Sequence, residues 1–203
     1  MADYKAPLRD MSFVLNEVFE AGKLWAQLPA LAETVDDETA AAILEEAGKV
    51  AAGSIAPTNR SGYEEGWNEG VVTTPTGFIE AYKTYAEGGW VGVGGDPQFG
   101  GMGMPKMITA QIEEMINSAN LSFGLYPMLT AGACLSIHAH ASQELKEKYL
   151  PNMYNGTWSG SMCLTEPHAG TDLGMTHTKA EPQADGSYKV TGTKIFITGG
   201  EHD

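Results

Sequence analysis

The chain has 203 residues, more than one average domain and fewer than two at roughly 100–200 residues each. Hydrophobic residues make up 42% and charged residues 19%, which excludes a disordered chain, and the 25 glycines follow no G-X-Y period, which excludes collagen. Twelve basic against 26 acidic residues leave a formal net charge of −14, which repels phosphate backbones and argues against a nucleic-acid partner.

The first 150 residues read as helices. Met11, Val14, Leu15, Val18, Phe19 and Leu24 recur at helical spacing and predict one apolar face, ended by Pro29. Asp36 or Asp37 caps a second helix over about 38–53, with Ile43, Leu44, Ala47 and Val50 inward. Residues 57–70 read as a loop. Thr76 is placed to cap a helix carrying Phe78, Ile79, Tyr82 and Tyr85. A glycine-dense connector, GVGGDPQFGGMG at 92–103, leads to Pro105 in a first helical turn and to Met107, Ile108, Ile112, Met115 and Ile116. The connector holds neither G-x-G-x-x-G nor G-x-x-x-x-G-K-[ST], so it reads as a turn-rich link rather than a nucleotide loop.

Residues 121–141 are long and apolar, but Ser122, Pro127, Thr130, Ser136, His138 and His140 interrupt them, and the run predicts a helix buried in the core, not a membrane span. His138 and His140 are two apart and lie on different helix faces, so they are not read as metal ligands; one is expected buried and hydrogen-bonded, the other partly exposed. A final helix over 142–153 is capped by Ser142, with Glu144 in its first turn. Cys134 and Cys163 lack metal-ligand spacing and follow no apolar leader. They predict two buried thiols in a reducing, cytoplasmic setting.

The period then changes. Residues 188–190 and 194–198 alternate around an Asp185-Gly186 turn, predicting a β region that begins near Trp158. A sheet of about 45 residues is marginal alone, so the expectation is a portion of a longer chain, or a companion chain that completes the sheet. Between the two regions lies C-L-T-E-P-H-A-G-T-D-L-G at 163–174. Its hydroxyls, small residues and backbone N–H groups can meet a polar heterocycle or a phosphate.

That segment resembles the acyl-CoA dehydrogenase motif [ST]-E-x-x-[AGSN]-G-[ST]-D. Upstream, GWVGVGGDPQFGGMGMP is similar to the family's glycine connector, and downstream YKVTGTKIFITGG is similar to its hairpin, in the same order from about residue 35 onward. Residues 1–33 resemble the N-terminal extension of a longer subgroup. The resemblance implies a helical N-terminal domain over 34–157 and the first strands of a middle β-barrel domain over 158–203, with the extension before them. It implies an FAD-dependent oxidoreductase that converts an acyl-CoA thioester to the trans-2-enoyl-CoA.

By motif position, Met162, Cys163, Leu164, Thr165, Gly170 and Thr171 line the flavin. Phe196, Ile197 and Thr198 follow on the last strand, with Phe196 against the ring and the Thr198 hydroxyl on N5. Phe196 stands where the family usually has Trp, and Thr171 where Ser is commoner. Thr171 also faces substrate, and Gly124, Leu125 and Met128 are expected along the acyl chain. The family's catalytic carboxylate belongs to a C-terminal domain, so no base is assigned here, and Glu166 is read as holding the loop. Expected partners are the acyl-CoA, an electron-transfer flavoprotein as acceptor, and further copies in a homodimer or homotetramer. The alternatives are an acyl-CoA oxidase or flavin monooxygenase of the same fold, separated by access of dioxygen, and a non-catalytic helical interaction module, separated by lack of a flavin spectrum.

Overall fold

A computed structural model describes residues 3–65 and 70–202. Of the loop expected over 57–70, residues 66–69 therefore lie outside the described residues, as do the first two residues and the last. The protein is mainly helical, with a short two-stranded sheet after the helices.

The N-terminal segment is not one helix. Helix α1 spans Leu8–Phe13 and passes into a π-helical turn over Val14–Val18, the chain breaks at Glu20 in the left-handed region (φ 46°), and α2 spans Ala21–Trp25. The π-helical turn and the break together shift the apolar face. Met11, Leu15, Ala21 and Trp25 are buried, whereas Val14, Val18, Phe19 and Leu24 are exposed, contrary to the spacing argument.

Helix α3, Asp37–Val50, starts where Asp36 accepts a hydrogen bond from the Thr39 N–H and continues through a π-helical turn to Ile55. The stretch expected as loop then forms a 3₁₀ turn over Ala56–Thr58 and α4, Asn59–Glu64. Thr76 does not cap α5, Phe78–Glu87; Gly77 stands there at φ 89°, and the Thr76 N–H and hydroxyl both donate to the Glu65 carboxylate instead. Phe78 and Tyr85 are buried, and Ile79 is exposed.

The glycine connector is a folded unit rather than a slack link. Residues 92–95 run back against 101–104 through Met102 N–H to Gly92 O, Gly103 N–H to Gly95 O and Met104 N–H to Val93 O. A Cβ on Gly101 would sit 2.1 Å from the Gly95 carbonyl carbon, and one on Gly95 2.7 Å from the Tyr154 ring. Neither neighbour is a flexible chain end, so these positions have no room for a side chain. Gly101→Ala is expected to destabilise the protein by about 3 kcal/mol or more, the upper range for overpacking, read as a fall in thermal midpoint; an unchanged midpoint would show the connector to be loose.

Helix α6, Lys106–Ala119, follows Pro105, which lies just outside the first turn. Asn120 closes α6 and caps α7, Leu121–His140: its Oδ1 accepts from the Phe123 N–H, and its Nδ2 donates to the buried Thr58 hydroxyl. Phe123 packs edge-on to Phe78 (5.9 Å) and Tyr85 (6.0 Å), joining α5 and α7 in the core with Ile55, Ile108, Ile112 and Met115. Helix α7 is buried on one face alone. Leu121, Met128 and Leu135 are exposed, and no helix among the described residues is long and apolar enough to cross a membrane. Ser142 caps α8, Gln143–Tyr154, through the Leu145 N–H.

Strands β1, Lys179–Pro182, and β2, Tyr188–Thr191, pair antiparallel around Asp185-Gly186, with Gly186 at φ 84°. Residues 194–198 do not form a strand. Their link to a neighbouring segment is a single ladder-type bond, Ile195 N–H to Thr165 O, and Phe196 takes φ 57° before the turn at Gly199. Phe196 and Thr198 therefore do not share a strand face. The reason is physical: alternation has no meaning without a partner to pair with. The β region also starts later than Trp158, at Lys179.

Candidate functional site

The segment after α8 is bolted to α7. Thr130, fully buried, accepts the Gly160 N–H on its hydroxyl and donates that hydroxyl to Tyr126 O. Residues 162–165 then lead to Glu166, whose side chain is 2% exposed. One Glu166 oxygen accepts from the Lys194 ammonium at 2.8 Å and the Thr178 N–H at 3.0 Å, and the other from the His177 N–H at 2.8 Å. Glu166 and Ala169 exchange backbone bonds across the turn. Lys194 also donates to Leu164 O. One carboxylate thus ties the motif loop to the start of the sheet and to the 194–198 segment. The Lys194 ammonium above all, with the two N–H donors, holds the Glu166 carboxyl well below the usual carboxylate range.

This clamp brings Leu164, Thr165 and Gly170 together with 194–195; among the described residues its contacts do not extend to the other expected flavin residues. Leu164 and Thr165 lie beside 194–195, and an ideal Cβ on Gly170 would stand 4.0 Å from the Thr165 methyl. Met162, Leu164 and Phe196 are exposed, Phe196 by 84%; Cys163, Gly170, Thr171 and Thr198 are exposed too, and Ile197 is half-buried. The exposure of Cys163 corrects the expectation of two buried thiols; Cys134 is buried, which pushes its thiol up to about 11. The Leu164 and Thr165 carbonyls are occupied, whereas the N–H groups of residues 162–165 have no backbone acceptor among the described residues. A held loop with free donors and exposed apolar side chains fits a planar, partly apolar ring with a polar edge.

A cavity of about 540 Å³ lies on the other flank of α7, between the connector, α5 and α6. Gly124 and Met128 line it, with Tyr85, Ile112, Ile116 and Asn117. Leu125 and Thr171 do not. The 127–131 turn of α7 therefore serves both features: Thr130 anchors the motif loop while Met128 and Ala131 face the cavity. At the far end of that wall, His138 meets Asp96 of the connector at 2.9 Å. With 42% of its side chain exposed, His138 is hydrogen-bonded but not buried, and His140 is exposed. Among the described residues no cluster of His, Cys, Asp or Glu could hold a metal ion.

Sequence reasoning missed Lys194, although a lone cation inside the apolar run 194–197 signals a buried anion. It also missed the His168–His177 ring pair, 4.0 Å between centroids, which no spacing rule reveals across a loop.

The helical unit that carries the connector and α7 has a counterpart among known proteins. The model of the acyl-CoA dehydrogenase N-terminal domain matches residues 37–157, and the chain belongs to the acyl-CoA dehydrogenase family. It is 41% identical over 98% of its length to the 3-methylmercaptopropionyl-CoA dehydrogenase of Ruegeria pomeroyi, and 36% identical over 99% to a butyryl-CoA dehydrogenase of Syntrophomonas wolfei. It spans 34% of the length of each. Among solved structures it is similar to the butyryl-CoA dehydrogenase from Megasphaera elsdenii, at a TM-score of 0.67 and 25% identity, covering 79% of this chain and 41% of that one.

Proposed function

We propose that this chain is the N-terminal part of an FAD-dependent enzyme that dehydrogenates an acyl-CoA thioester to the trans-2-enoyl-CoA. The observation that carries the reading is the clamped 162–171 loop, with its free N–H donors and exposed apolar side chains, held through Gly160 and Thr130 to the same turn of α7 that lines a cavity. FAD, when bound, supplies the hydride acceptor. The Thr165 N–H and hydroxyl would hold the polar edge of the ring, Met162, Cys163, Leu164 and Gly170 its border, and Thr171 a hydroxyl contact reaching the substrate side. Phe196 and Ile197 would cover its face and Thr198 would donate near the hydride-accepting nitrogen. Glu166 is fully committed to holding the loop and takes no part in proton abstraction; the base lies on another segment.

In this reading residues 1–33 form an extension, 34–157 the helical domain and 158–203 the start of the β domain. The protein works in the cytoplasm as a homodimer or homotetramer and passes electrons to an electron-transfer flavoprotein. Both curated relatives are named for short acyl groups, which agrees with a cavity of this size. The reaction is tested by incubating the complete protein with butyryl-CoA and an artificial electron acceptor. Loss of two hydrogens to give the 2-enoyl ester supports the assignment, and recovery of butyryl-CoA alone refutes it.

Cavity shape yields a separate prediction. Met128 is a flexible side chain on the cavity wall, and Met128→Trp adds bulk there. The preferred acyl chain should shorten, with longer esters losing about 10–200-fold in kcat/KM for each methylene the pocket no longer admits. An unchanged chain-length profile would place the acyl group elsewhere.

A further inference from the structure

Among the residues lining the cavity beside α7 is one with a polar atom that the described residues leave unsatisfied. Asn117 Oδ1 is buried and has no hydrogen-bond partner among the described residues. Gly124 makes room for it: an ideal Cβ there would stand 2.0 Å from that oxygen. Buried acceptors are almost always paired, with protein, water or ligand, and Asn117, its Oδ1 packed against Gly124, is among the residues that line a cavity large enough for a ligand. Resting on the acyl-CoA reading above, we infer that the cavity selects acyl thioesters whose chain carries one uncharged hydrogen-bonding group, such as a hydroxyl or carbonyl, and that Asn117 recognises it.

The charges around the cavity argue for a neutral group. Lys106 is held by Glu113 at 2.7 Å, and His138 by Asp96 at 2.9 Å, so each basic side chain lining the cavity already has an anion. A carboxylate on the acyl chain would meet Glu113 and Asp96 with no cation left over. Glu113 and Asn117, four residues apart, share a face of α6. An amide offers an acceptor and two donors, so rotation of one side chain serves either a hydroxyl or a carbonyl. Tyr85 lines the same cavity at 5% exposure. Burial keeps that phenol protonated, so it remains a donor.

The test compares hexanoyl-CoA with 5-oxohexanoyl-CoA and 6-hydroxyhexanoyl-CoA in the complete flavin-loaded protein. Turnover gives kcat/KM, and calorimetry on the dithionite-reduced enzyme gives affinity without turnover. At least one functionalised ester should exceed hexanoyl-CoA by about tenfold to a hundredfold, the scale for leaving one buried polar group unpaired. Asn117→Leu should bring that ratio close to one; Asn117→Ala, which adds no bulk, repeats the reading if Leu does not fold. Equal values for all three esters in the parent protein, or a ratio untouched in the variants, overturn the inference while leaving the dehydrogenase reading standing. Failure of every ester to reduce the flavin overturns the dehydrogenase reading itself.

Discussion

Glu166→Gln is expected to release the motif loop and deprive the protein of its flavin. The glutamine keeps one acceptor oxygen but leaves the Lys194 ammonium, 22% exposed, without its counter-charge, and it cannot serve Lys194, the His177 N–H and the Thr178 N–H together. Residues 162–165, largely exposed apart from the half-buried Thr165 and anchored largely through this carboxylate and Lys194, then lose their fixed relation to 194–195. Hydrogen exchange should accelerate across 162–178 while the helices stay protected, and bound flavin should fall with it. Retention of full flavin content with unchanged exchange would show that the clamp is not needed.

The same carboxylate sets an acid limit. Its pKa in the folded protein is lowered, against about 4.3 when unfolded. The stabilisation is therefore complete above the unfolded value and is lost as pH falls through and below it. Loop order should fade below about pH 4, and Glu166→Gln should flatten that part of the pH profile because the titrating group is gone. A variant with the parent's acid limb would assign the transition to another carboxylate.

Thr198→Val carries the second large effect. The change removes a hydroxyl at nearly constant volume from an exposed residue, so stability should barely move. Flavin reduction by substrate in a single turnover should slow by about tenfold to a few hundredfold, the scale for losing one preorganised donor. An unchanged reduction rate would remove Thr198 from the flavin.

The helices were legible because their signals are local. Asp36, Asn120 and Ser142 are side chains that satisfy first-turn N–H groups within three residues, although of these Asn120 was not read as a cap. The face of the N-terminal segment was not legible, because the π-helical turn over Val14–Val18 and then the left-handed Glu20 shift the helical phase. Thr76 reads as a cap by residue type; Glu65, eleven residues back, takes its N–H and hydroxyl. The same limit applies to the candidate site. The motif at 163–172 was visible as a string, while its clamp to Lys194 spans 28 residues and Asn117's contact with Gly124 depends on how α6 meets α7. Expecting a strand at 194–198 failed for a related reason. Periodicity shows which residues could pair, and pairing itself needs a neighbour that the fold places elsewhere.

The central claim is that the 162–171 loop and 194–198 segment hold a flavin that an acyl-CoA reduces. The most direct measurement is the visible spectrum of the complete protein, recorded anaerobically before and after addition of butyryl-CoA. The account predicts a bound oxidised-flavin spectrum that bleaches with the thioester and is lost in Glu166→Gln. A folded protein that is colourless and takes up no added FAD, or a flavin spectrum that no acyl-CoA bleaches, would contradict it.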